Sequence, residues 1–142
     1  MADAHPNAVP VIAVDGPSGS GKGTLAADLA EQLGWHYLDS GALYRIVAHV
    51  ATTRGIALDD EATLGEMASA IDVSFEQGQI TVDGEDLTDA IRVEAISIAS
   101  SEVAAHPAVR RAILAQQVKQ RRTPGLVADG RDMGTVVFRD AV

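Results

Sequence analysis

Residues 9–33 read VPVIAVDGPSGSGKGTLAADLAEQL, an apolar run, a glycine-rich bend and a helical pattern in immediate succession. The run at 9–14 is rich in β-branched side chains and short, which suits a parallel strand buried on both faces. Leu25, Leu29 and Leu33 recur at helical spacing over 24–33, and Gly34 stands where a helix would stop. A strand that turns at once into a helix leaves few architectures open. The helix must pack back on a sheet whose strands run parallel.

The bend itself has a chemistry. Glycines at 16, 19 and 21 let several backbone N–H groups face one centre, and the following helix adds the positive end of its dipole. The spacing Gly16-x-x-x-x-Gly21-Lys22 is that of a phosphate-binding loop, with Lys22 as a mobile charge for β- and γ-phosphates. The candidate phosphate contacts are Gly16, Pro17, Ser18, Gly19, Ser20, Gly21, Lys22, Gly23 and Thr24. Most such loops place Ser or Thr directly after the lysine, where the hydroxyl sits on Mg²⁺. Here that position is Gly23 and the hydroxyl follows at Thr24. The shift implies a metal held largely through water, with Thr24 turned to an inner phosphate.

The rest of the chain continues the α/β order. A second strand is expected at 35–38, and Asp39 or Ser40 can cap a helix reaching about residue 53. Helical spacing returns over 62–70. Alternation in DVSFEQGQITVDGEDL, with turns at Gly78 and Asp83-Gly84, predicts small antiparallel strands. Helices are expected over 93–105 and 107–122, the second opening on Pro107. Leu126-Val127-Ala128 then reads as another strand, ending on Asp129. An acidic residue at such a strand end is the usual second group on the magnesium side of a phosphate loop. Asp15 could touch a metal through water or bond the loop amides, and both readings stay open.

Composition narrows the class. The net charge is −9, yet eleven acidic residues fall between 59 and 94 against Arg92 alone, and Arg110, Arg111, Lys119, Arg121 and Arg122 follow at 101–122 against Glu102. Two solvated faces of opposite sign account for most of these charges. A long basic surface for nucleic acid is absent from the sequence. There is no cysteine, no signal-peptide pattern at the start and no apolar stretch of membrane-spanning length. A cytoplasmic protein without nucleic-acid or membrane partners is the expectation.

Gly-Lys-Gly-Thr resembles the loop of nucleoside monophosphate kinases and differs from that of GTPases and most motor ATPases. Three further clusters carry a closer likeness: DSGALYR at 39–45, ASSEVAAHPAVR at 99–110 and DGRDMGT at 129–135. Together with GPSGSGKGT they resemble the bacterial cytidylate kinases over about residues 9–142. The resemblance implies a P-loop kinase core, a parallel sheet flanked by helices, with a small inserted subdomain for the nucleoside monophosphate. The implied segments are 9–58 for the first part of the core, 59–105 for the insertion and 106–142 for the return to the core. It implies ATP as donor with Mg²⁺, CMP or dCMP as acceptor, and a monomeric full-length enzyme. Ser40, Arg45 and Arg131 would handle the acceptor phosphate, and Ser101, Arg110 and Asp132 would read the base. Lys22, Arg45 and Arg131 would be the catalytic residues, with Asp129 on the metal through water. The family pattern continues past Val142 with an arginine-rich lid, so the sheet is expected to be incomplete in this chain. The alternatives are a nucleotide-binding fragment with little turnover, or a P-loop kinase for AMP, UMP or shikimate.

Overall fold

The computed structural model describes residues 9–15, 22–76 and 79–130, the side chains at 15 and 22–24 excepted. In chain order the elements are β1 (Val11–Asp15), α1 (Lys22–Leu33), β2 (His36–Asp39), α2 (Ser40–Arg54), α3 (Glu61–Ala70), β3 (Val73–Glu76), β4 (Gln79–Val82), β5 (Glu85–Asp86), α4 (Glu94–Val103), α5 (Pro107–Lys119) and β6 (Leu126–Gly130), with a short 3-10 turn at Ala90–Arg92. They form two compact units, Met1–Ser40 with Gln117–Val142, and Gly41–Gln116.

The first unit is built on a parallel sheet in the order β1-β6-β2. The last strand in sequence is therefore the middle one in space. It pairs Val11 with Leu126 through Asp15 with Gly130 on one side, and His36 with Leu126 through Asp39 with Asp129 on the other. Every residue of β6 is buried, as its unbroken apolar start requires of a strand covered on both faces. α1 is stopped at Gly34, whose positive φ of 69° lets two closing bonds form, Gly34 N–H to Glu31 and Trp35 N–H to Ala30.

α1 turns a different face inward from the one its leucines suggest. Ala26 and Ala30 pack with Val127, joined at the margin by Ile12, Val14, Leu29, Trp35 and Tyr37. Leu25 and Leu33 are 63% and 43% exposed. Small side chains let the helix approach the sheet closely, and alanine is the smallest that keeps helix propensity. Another close approach lies below the sheet's start, where a Cβ on Gly125 would meet the ring of Trp35. Gly125 and Thr123 are also tied to β2, by His36 N–H to the Gly125 carbonyl (2.9 Å) and His36 Nε2 to the Thr123 carbonyl (3.0 Å). Because a carbonyl only accepts, Nε2 carries the ring proton. Arg121, one of the basic residues expected on a solvated face, instead donates from Nε to the Val9 carbonyl at 2.8 Å. α5 ends at Lys119 rather than near 122, as Gln120 and Arg121 bond back only three residues.

The second unit packs helices with a small antiparallel sheet, β3-β4-β5. Asp83 and Gly84 both have positive φ (51° and 86°) and make the two-residue turn between β4 and β5. Leu43, Ile46, Val47, Leu64, Ile91, Val103, Val109 and Ile113 are fully buried here. α3 starts on an Asp60 cap, whose Oδ1 accepts from Thr63 N–H. Its other end is closed from outside: the buried Gln116 of α5 donates through Nε2 to the carbonyls of Ala68 (2.9 Å) and Ile71 (2.8 Å). Substituting Gln116→Leu leaves both acceptors without that donor. Urea unfolding should show a loss of about 2 kcal/mol or more, and a loss under about 0.5 kcal/mol would mean that water replaces the amide there.

Candidate functional site

Parallel strands all release their chains at the same edge of a sheet. Here β1 ends at Asp15 and gives way to GPSGSGKGT, β2 ends at Asp39 and enters DSGALYR, and β6 ends at Gly130 inside DGRDMGT. The register sets these ends level, with Asp15 opposite Gly130 and Asp39 opposite Asp129. Three of the four motifs singled out in the sequence thus start from one edge. In open α/β sheets that edge, at the carboxyl ends of the strands, is where ligands bind.

Two carboxylates meet at this edge. Asp129 is 2% exposed, and its Oδ2 accepts a hydrogen bond of 3.1 Å from the hydroxyl of Tyr37. Asp39 is its neighbour across the β2–β6 ladder. Burial pushes the Tyr37 phenol far above its ordinary titration range, and the charges of Asp39 and Asp129 and the bond to Asp129 push it the same way. Tyr37 therefore keeps its proton and remains a donor, fixing one oxygen of Asp129. Tyr37 looks like plain core in the sequence. The signal that it does more is its place, two residues before Asp39 on a strand where alternate side chains share a face.

β2 passes directly into α2 with no connecting loop. Asp39 is the last strand residue and Ser40, which is buried, is the first of the helix. Arg45 lies on α2 about a turn and a half further along and is half-buried. Ser101 is exposed on α4, and Arg110 is exposed on α5. Arg110 is anchored: Nη1 donates to the carbonyls of Ala104 (2.9 Å) and Ala105 (3.0 Å). Its charge also reaches Tyr44, the residue before Arg45. Burial raises the Tyr44 phenol above its usual range, and Arg110 partly opposes the rise. The helix carrying Arg45 and the guanidinium of Arg110 are therefore within electrostatic reach of each other.

Gly16, Pro17, Ser18, Gly19, Ser20 and Gly21, the side chains of Asp15, Lys22, Gly23 and Thr24, and the residues Arg131 and Asp132 lie outside the described residues. Among the described residues no three acidic, histidine or cysteine side chains converge as a metal site. A shallow groove between α3 and α5, lined by Ala62, Gly65, Glu66, Ser69, Ala108 and Arg111 among others, holds none of the expected site residues. No helix among the described residues is long and apolar enough to cross a membrane.

Comparison with known proteins gives the same direction. The family model described as cytidylate kinase matches residues 12–142. Proteins named cytidylate kinase are similar to this chain in Aeromonas salmonicida (53% identical over 140 residues, 96% of this chain), Stutzerimonas stutzeri (55% over 139 residues, 94%) and Chromobacterium violaceum (55% over 133 residues, 94%). The chain spans about 61% of the length of the first two and 60% of the third.

The tyrosine at the strand edge has a measurable consequence. Its folded-state value lies above the unfolded value of 10.0, so above about pH 10 the unfolded chain releases the proton first. The stability it contributes is full below that pH and declines as pH rises further. Urea midpoints taken from pH 9 to 11 should fall more steeply for the wild type than for Tyr37→Phe, and parallel curves would show that the phenol titrates normally.

Proposed function

Because this chain belongs to the cytidylate kinase family, we propose that it supplies the phosphate-loop core and acceptor-binding part of an enzyme converting ATP and CMP or dCMP to ADP and CDP or dCDP. The observation that carries this reading is the common edge from which GPSGSGKGT, DSGALYR and DGRDMGT depart. Segments that leave one sheet edge at the carboxyl ends of its strands can contribute to one ligand site, which supports reading them as a donor loop and two acceptor motifs.

Lys22 and the loop amides hold the donor phosphates, with Thr24 on an inner one. Ser40, Arg45 and Arg131 grip the acceptor phosphate, the arginines in the bidentate manner suited to phosphate oxygens. Arg110 and Ser101 donate to the ring acceptors of cytosine. Asp132 accepts from its exocyclic amine and repels the carbonyl that uracil carries instead. The attacking atom is a phosphate oxygen whose second ionisation lies near pH 6, so no general base is needed. Catalysis rests on aligning two polyanions and cancelling their repulsion with Lys22, Arg45 and Arg131.

The residues at the strand edge fit Mg²⁺. Asp129 is buried, is oriented by Tyr37 and stands beside Asp39, and carboxylate oxygens with water are the ligands this ion prefers. Asp129 would hold it through water, and the bound ion would neutralise phosphate charge. A cytoplasmic setting and a monomeric full-length enzyme complete the proposal.

The test is conversion of CMP with Mg·ATP beside UMP and AMP. Turnover selective for CMP supports the whole reading. Selective CMP binding without turnover supports a nucleotide-binding part that needs more of the family's length, and a preference for another acceptor overturns the assignment. Asp132→Ala should narrow the CMP-over-UMP preference by roughly 10- to 100-fold, whereas equal losses for both would remove it from base reading. Lys22→Ala should nearly abolish transfer while CMP binding persists, and retained turnover would take Lys22 out of the chemistry.

A further inference from the structure

Arg110 does not wait for its ligand as a loose surface side chain. Nη1 is committed to two acceptors, the Ala104 carbonyl and the Ala105 carbonyl. A bound nucleotide must then be met by the remaining Nε–H and Nη2–H edge, and the direction of that edge is set by the turn between α4 and α5. What holds the turn decides where the guanidinium points.

Two side chains tie that turn to the start of α3. His106, the residue after Ala105, donates from Nε2 to the Leu58 carbonyl at 2.8 Å. Its other nitrogen, Nδ1, lies 3.8 Å from Glu61 Oε1. The second oxygen of the same carboxylate, Oε2, accepts from the Ala108 N–H at 2.9 Å, an amide in the first turn of α5 that no helix carbonyl can satisfy. A negative charge there also complements the helix dipole. One carboxylate therefore spans the imidazole and the helix start, on either side of Pro107. Arg110 N–H closes the first turn onto the His106 carbonyl (3.1 Å), so the residue that anchors the turn also begins the helix carrying Arg110.

We infer that His106 and Glu61 are positioning residues for Arg110, fixing the α4–α5 turn so that its guanidinium meets the acceptor nucleotide already oriented. The inference rests on the reading that Arg110 contacts CMP. An arginine carries large rotamer entropy, and ordering it before binding removes that cost from the binding step. His106 and Glu61 touch no nucleotide in this scheme. Their effect on CMP passes through Arg110 alone, which separates positioning from general support of the fold.

The experiment uses the 142-residue chain in two measurements. In the ligand-free protein, ¹⁵N relaxation at Arg110 Nε reports whether the guanidinium is ordered. Calorimetric titration with CMP gives dissociation constants for the wild type, His106→Ala, His106→Gln, Glu61→Gln, Arg110→Ala and the His106→Ala/Arg110→Ala pair. The expected result is an ordered Arg110 Nε–H that becomes mobile in His106→Ala, with CMP bound roughly threefold to tenfold more weakly. His106→Gln, which keeps a donor near the Nε2 position, should recover most of that loss, and Glu61→Gln should show an intermediate loss. In the Arg110→Ala background the His106 substitution should change CMP affinity by less than about twofold. An unchanged Arg110 signal in His106→Ala, or the same loss of affinity with and without Arg110, would overturn the positioning role. An Arg110→Ala variant that binds CMP like the wild type, or a wild type that binds none, would instead overturn the reading of the site on which the inference stands.

Discussion

The backbone ladders on either side of β6 are the constraint on which the rest depends. A parallel sheet fixes register through evenly spaced hydrogen bonds, and a slip of one residue would turn every side chain to the opposite face. In this register Val127 faces Ala26 and Ala30, so α1 lies against the sheet. The same register brings Asp129 level with Asp39 and within reach of Tyr37. Core packing and the placement of the two carboxylates are thus two results of one pairing.

Charge is handled differently in the two units. At the strand edge, two neighbouring carboxylates would repel if both faced an apolar interior. Tyr37 donates to one of them, and its own proton is held in place by burial first and by their charge second. In the other unit the problem has the opposite sign, because Arg110 is an exposed cation. Two main-chain carbonyls share its positive charge without neutralising it, which a carboxylate partner would have done. Dipoles orient a cation without cancelling its net charge.

Much of this was legible in the residues. The first strand and the helix after it were signalled by an apolar run and a helical repeat. Gly34 and Pro107 stand at the helix stop and start that their chemistry suggests, and Asp83-Gly84 makes the turn its residue types favour. The motifs placed Ser40, Arg45, Ser101 and Arg110 on the helices where they are found. What escaped was governed by distant partners. Leu25 and Leu33 point outward because close packing on Val127 selects alanine, a requirement invisible within the helix. Arg121 resembles its solvated neighbours until the Val9 carbonyl, 112 residues away, is seen beside it. Gln116, Glu61 and His106 act on main-chain groups, which leave no mark in a sequence. Tyr37 acquires its role only through pairing with a strand whose partner residue, Val127, lies 90 positions later.

That separation has a consequence for synthesis. β1 and β2 do not pair with each other, and both wait for residues 126–130. Residues 41–116, which form a unit of their own, leave the ribosome in between. At about 5–20 residues per second, the first forty residues stand without their central strand for roughly 5–20 s after β2 is made. During that interval the apolar segments at 9–14 and 35–38 have main-chain donors and acceptors with no ladder to enter. Such segments are natural clients for a nascent-chain chaperone, because the sheet of the first unit can close only once its last strand has been made.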